Sequence, residues 1–162
     1  MKRPAETWRI VLAACLMLAV AHADEGTTLR NALQAEYAAI VAGFRNNDPE
    51  PWISRLTPDF ELTLFSGQTQ DRKWVIDYVR NNAKTFNVTS LEMTIGNIEV
   101  NDAGITAVVE QRSSRTFVDD SGVKHTLDVG AVQRETWTKT ADGYRLRHVQ
   151  EKDLLYLKKD GK

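Results

Sequence analysis

From Asn87 to about Tyr156, apolar and polar residues alternate with a period of two, and three short turn sequences interrupt the pattern. Asn101-Asp102-Ala103-Gly104, Asp119-Asp120-Ser121-Gly122 and Thr140-Ala141-Asp142-Gly143 each end on a glycine, which takes a positive φ at no steric cost. Period-two alternation makes half-buried strands, and turns this short join neighbours antiparallel. The expected result is a four-stranded meander whose long central strands run over Ile105–Phe117 and Val123–Lys139. In the first strand Leu91, Met93 and Ile95 alternate, Gly96-Asn97 interrupts, and Ile98 and Val100 resume in shifted phase. A phase slip at glycine predicts a β-bulge.

Helical spacing precedes the sheet. Thr27-Thr28 can cap a helix to about Asn46, with Leu29, Leu33, Tyr37, Ile40, Val41 and Phe44 on one face. Asp48 is an N-cap candidate and Pro49 suits a first helical position, so a short second helix is expected to end near Leu56. Phe60, Leu62 and Leu64 alternate as a strand, Ser66–Gln70 reads as a loop, and Asp71 caps a third helix ending near Lys84. Its expected inner face carries Trp74, Val75, Tyr78 and Val79. The reading is an α+β domain: three N-terminal helices packed on a curved, bulged antiparallel sheet.

The first residues read as an export signal. Lys2, Arg3 and Arg9 precede an apolar run from Ile10 to Val20, and Ala21-His22-Ala23 fits a cleavage site. The run is shorter than the ~20 residues of a membrane-spanning helix. The expected division is a signal peptide over 1–23 and a single domain over 24–162, periplasmic or secreted, with no membrane attachment after cleavage. Leu12-Ala13-Ala14-Cys15 offers the alternative of lipidation at Cys15. Cys15 is the sole cysteine, so the exported part would lack disulfides and thiol chemistry. A net charge of −1 with interspersed signs gives nucleic-acid binding no support. The histidines beyond the leader, His125 and His148, stand far apart in sequence, so neither a metal nor a cofactor is expected.

Taken together, the stretch from Phe44 to Leu62 (FRNNDPEPWISRLTPDFEL), the helix entry GQTQDRKWVIDY and the paired strands RETWTKTADGYRLRHVQE resemble the nuclear transport factor 2-like superfamily, in particular its SnoaL-like and uncharacterised bacterial members. The resemblance covers about Thr27 to Glu151. It implies a cone-shaped fold that hosts isomerases, cyclases, dehydratases, hydrolases and non-catalytic binding modules, so fold alone names no activity. The steroid isomerase pattern would place an acidic base near Leu64, which cannot take a proton, and its tyrosine about one turn from Tyr37.

Two registers are open for the last hairpin. A four-residue turn pairs Lys139 with Tyr144, Trp137 with Leu146 and Glu135 with His148; a three-residue turn sets Trp137 beside Arg147 and Thr136 beside His148. The first groups the apolar residues on one face and makes Glu135 and His148 a carboxylate–imidazole pair, the arrangement a general base needs. The candidate catalytic set is therefore His148, Glu135 and Tyr37. The candidate ligand pocket is Tyr37, Trp52, Trp74, Glu135, Trp137 and His148, for a small, partly apolar molecule. The resemblance also implies a possible homodimer through the outer sheet face, here Arg134, Thr136 and Arg147. Arg112 and Asp128 are expected opposite each other on that face, and His125 is expected in solvent.

Overall fold

The computed structural model describes residues 26–102 and 104–162; the segment read as an export signal, 1–23, and Cys15 within it lie outside them. The described residues fall into two units, divided between Gln34 and Ala35. Helix α1 covers 26–45, and its part from residue 35 belongs to the second unit. Within that unit follow α2 (Glu50–Ile53), β1 (Leu56–Thr63), β2 (Thr69–Asp71), α3 (Arg72–Thr85), β3 (Asn87–Asn101), β4 (Gly104–Val118), β5 (Lys124–Thr140) and β6 (Gly143–Lys159). The expected three helices and the meander are present. The Asp71 carboxylate caps α3, accepting from the Trp74 amide at 2.8 Å.

Two parts of the expected sheet change. It has six strands in the order β2-β1-β6-β5-β4-β3, and β1 runs parallel to β6, so it is mixed and unclosed rather than purely antiparallel. The extra strand is β2, in the segment read as a loop; Thr69, Gln70 and Asp71 pair with Thr63, Leu62 and Glu61. Helix α2 is also shorter than its apolar spacing implied. Leu56 begins β1 instead, where the turn after Ile53 leaves the Arg55 carbonyl to accept from the Leu146 amide at 2.7 Å.

The bulge at Gly96-Asn97 is where the phase slip located it. Ile95 pairs with Val109 and Ile98 with Ala107, so two residues of β3 stand opposite Val108 alone. In the last hairpin both registers occur, in succession. Near the turn Lys139 pairs with Tyr144 and Trp137 with Leu146; beyond it Thr136 pairs with His148 and Glu135 with Val149. Arg147 is the extra residue between the two segments. The turn dictates the register at its own end, and this bulge resets it before the strand reaches Glu135.

The buried face of the sheet is built from Leu91 and Ile95 on β3, Ile105, Ala107 and Val109 on β4, Trp137 on β5, and Leu146 and Val149 on β6. On the opposite face Val108 pairs with Arg134, and Arg112 pairs with Gly130 while Asp128 pairs with Ser114. Arg112 and Asp128 thus share the expected face but not a register position. Arg112 instead bonds Glu110 on its own strand at 2.5 Å.

The far end of the β4–β5 hairpin is fastened by His125, which is not left to solvent. Its Nε2 meets Asp119 Oδ2 at 2.9 Å and its Nδ1 meets Asp160 Oδ2 at 2.8 Å. A neutral imidazole has only one N–H, so both contacts together require the cation. The Asp119 carboxylate, and then that of Asp160, raise the His125 pKa above its ordinary value. A raised folded-state pKa gives stability that is complete below the unfolded value of about 6.5 and is lost as pH rises through the folded value. The Thr126 amide, which donates to Asp160 at 2.9 Å, should therefore lose exchange protection as the pH is raised from 6 to 9. His125→Gln should remove that loss after correction for intrinsic exchange. Equal protection of Thr126 across the range would contradict the charged clip.

Candidate binding site

A cavity of about 200 Å³ opens between α1, α3 and the buried face of the sheet, within the second unit. Its walls are apolar: Ile40 and Phe44 from α1, Val75 and Val79 from α3, Leu91 and Met93 from β3. Trp52 lines it too, held at 5.9 Å from Phe60 and 6.4 Å from Phe44. Phe86 borders it and packs edge-on against Phe117 at 5.3 Å.

The longest run of polar lining comes from one strand. On β4 the inward positions are Ile105, Ala107 and Val109, then Gln111, Ser113 and Arg115. A strand presents every second residue to one face, so the switch from apolar to polar at Gln111 carries the strand from core to cavity. Gln133 and Glu151 add polar groups from β5 and β6. Glu151 Oε2 accepts from the Phe65 amide at 2.9 Å. Arg115 is half-buried. Its Nη2 reaches Ser113 Oγ at 3.5 Å, the outer limit of a hydrogen bond, and its buried Nε has no partner. Burial pushes this guanidinium below the usual arginine range, yet an arginine remains protonated in proteins.

Behind Gln133 lies a second constellation. The fully buried Glu135 accepts on Oε2 from the Tyr37 hydroxyl at 2.5 Å and from Trp137 Nε1 at 2.8 Å, and on Oε1 from Gln133 Nε2 at 2.8 Å. Tyr37 and Trp137 meet edge-on at 5.5 Å. Among the described residues no cation touches this carboxylate, so burial outweighs the three hydrogen bonds and lifts its pKa to about 7. Burial, and then the charge of Glu135, push the Tyr37 phenol well above its ordinary value, which keeps it the donor.

The sequence-derived candidates thus separate into three places. Trp52 alone lines the cavity. Tyr37, Glu135 and Trp137 are brought together, but as a buried cluster joined to the cavity through Gln133. Trp74 and His148 are outside: Trp74 stacks on Tyr78 at 4.9 Å and is 39% exposed, because Val75 and Ile76 take the buried face of α3. The bulge at Arg147 puts His148 opposite Thr136, where its Nε2 meets Thr63 Oγ1 at 3.0 Å. The expected Glu135–His148 pair is therefore not formed. Arg134 and Arg147 are exposed on the outer side and Thr136 is half-buried; Arg147 meets Asp59 at 3.2 Å. Gln111, Ser113, Arg115 and Gln133 were missed, although period-two counting along β4 from Val109 points to the first three. Among the described residues no group of three His, Cys, Asp or Glu side chains is arranged to hold a metal.

No family model matches the chain, and no curated protein matches it. Solved structures do. A nuclear transport factor 2-like protein from Cytophaga hutchinsonii superposes with a TM-score of 0.60 at 15% identity, covering 75% of this chain and 95% of that one. A ketosteroid isomerase-like protein from Erwinia carotovora atroseptica gives 0.60 at 12% identity, covering 78% and 95%. A type 2 hexachlorocyclohexane dehydrochlorinase gives 0.60 at 12% identity, covering 82% and 89%.

Proposed function

Because the chain has the α+β nuclear transport factor 2-like fold, whose members share a scaffold rather than a reaction, we propose that it binds a small, partly apolar molecule in the cavity between α1, α3 and the sheet. The observation that carries this reading is the composition of the cavity: mostly apolar walls with a few polar groups, chief among them the row Gln111, Ser113 and Arg115 on β4. Ligand sites are commonly concave and apolar with a few convergent polar groups. With the leader read over residues 1–23, binding would take place outside the cytoplasm. Acid–base catalysis finds less support, since the Glu135–His148 dyad is split and Glu135 is covered by Gln133, Tyr37 and Trp137.

Native mass spectrometry of gently purified protein tests the proposal. A reproducible extra mass, released on denaturation, is expected. Ala83→Phe, which pushes a ring from α3 into the cavity, should abolish it while the protein stays folded. Retention of the same mass by the Ala83→Phe protein would put the ligand elsewhere and sink the reading.

A further inference from the structure

Among the described residues Arg115 is the one arginine that lines the cavity. Arg55 is paired with Glu36 at 2.6 Å, and the more exposed Arg80, Arg112 and Arg147 each hold a carboxylate. Among the described residues Arg115 has no carboxylate partner, although it borders an apolar cavity. Its one side-chain hydrogen bond, to Ser113, is at the distance limit, and its Nε–H is buried with no acceptor. The carboxylate that does border the cavity, Glu151, is engaged by the Phe65 amide.

A guanidinium removed from water without a counter-charge is destabilising. Its donors form a planar fork that matches a carboxylate through two parallel hydrogen bonds. The remaining lining is mostly hydrocarbon: Val88 pairs with Arg115 across β3 and β4, and Leu91 and Met93 continue the same wall. An anion seated on Arg115 would therefore have an apolar body lying along β3 and α3.

We propose that the ligand is a small amphipathic carboxylate, with Arg115 as its counter-charge and the walls from Val75, Val79, Leu91 and Met93 holding its hydrocarbon part. This specifies the chemical class for the binding reading above and rests on it. A dry cavity of roughly 150 Å³ accepts benzene, so the volume here suits a medium-chain or single-ring acid.

Calorimetric titration with octanoate, and with octanamide as its neutral match, tests the proposal on the intact protein. Octanoate is expected to bind at least tenfold more tightly than octanamide, and Arg115→Gln should erase the difference while sparing octanamide. Ala83→Phe should remove both probes. Equal affinities for acid and amide, unchanged in Arg115→Gln, would overturn the carboxylate proposal and leave the cavity reading standing. Failure of both probes to bind would overturn both. Stability gives an independent readout: Arg115→Gln removes an uncompensated cation, so the unliganded variant should melt no lower than the parent. A clear fall would show that the fold already satisfies the guanidinium and would defeat the proposal without any ligand.

Discussion

Replacing Glu135 with glutamine should flatten the dependence of folding stability on pH. In the native chain the Glu135 carboxyl is lifted from its ordinary 4.5 to about 7, chiefly by burial. A carboxyl whose folded pKa is raised contributes stability that is complete below pH 4.5 and is lost as pH rises through 7. A shift of that size corresponds to about 3 kcal/mol. Glutamine has nearly the same shape, stays neutral, and can still accept from Tyr37 and Trp137 on its oxygen. Gln133 need only turn its own amide to present oxygen to the new NH₂ group. Urea unfolding at pH 5 and pH 8 should find variant and parent close at the lower value and the variant ahead by ~2 kcal/mol or more at the higher. Parallel pH curves for the two proteins would mean that Glu135 reaches solvent or a cation in solution.

Trp137→Ala should be among the most damaging single substitutions in the second unit. The Trp137 ring is fully buried, packs edge-on against Tyr37, and donates its N–H to Glu135. Removing a buried indole costs roughly 3–5 kcal/mol, because the void left behind only partly collapses. Trp137→Phe keeps most of the volume and loses the N–H, so its cost should be closer to that of one hydrogen bond to a charged group, about 1.5–3 kcal/mol. The two losses, read from denaturant midpoints at constant m, should stand in that order. Equal losses would assign the role of Trp137 to its N–H rather than to its ring. Either way the effect is on the fold: Trp137 does not touch the cavity, so a reduced ligand mass in the alanine variant would follow from unfolding.

The meander was legible because its signals are local. Glycine turns, a period of two and a phase slip at Gly96 each act over a few residues, and the four strands follow them closely. The Asp71 cap is equally local. Strand β2 was not legible, because Thr69–Asp71 becomes a strand only through pairing with β1, which its own three residues do not announce. The parallel contact of β1 with β6 joins segments distant in sequence and leaves no periodic trace.

The site divides in the same way. Tyr37, Glu135 and Trp137 were recognisable as inward residues from helical and strand spacing, but whether such residues line a space or fill it is decided by packing. Trp74 was placed on the wrong side because the α3 stripe centres on Val75 and Ile76, leaving its ring outside and stacked on Tyr78, which itself borders the cavity. Arg115 was overlooked for a different reason. An arginine late in an alternating strand ordinarily ends the buried run, whereas here the hairpin continues to Val118 and keeps it beneath α3.

The bulge at Arg147 has a consequence for how such a protein changes over time. With that one residue removed, the two segments of the hairpin would join in a single ladder, and His148 would still stand opposite Thr136 and Val149 opposite Glu135. The bulge thus absorbs one residue without changing the phase of the strand on either side. Descendants of this chain can therefore lose or regain a residue here by a single-codon deletion or insertion while the buried cluster around Glu135 is preserved. Gaps of this kind in a strand are changes of length that need not be changes of chemistry.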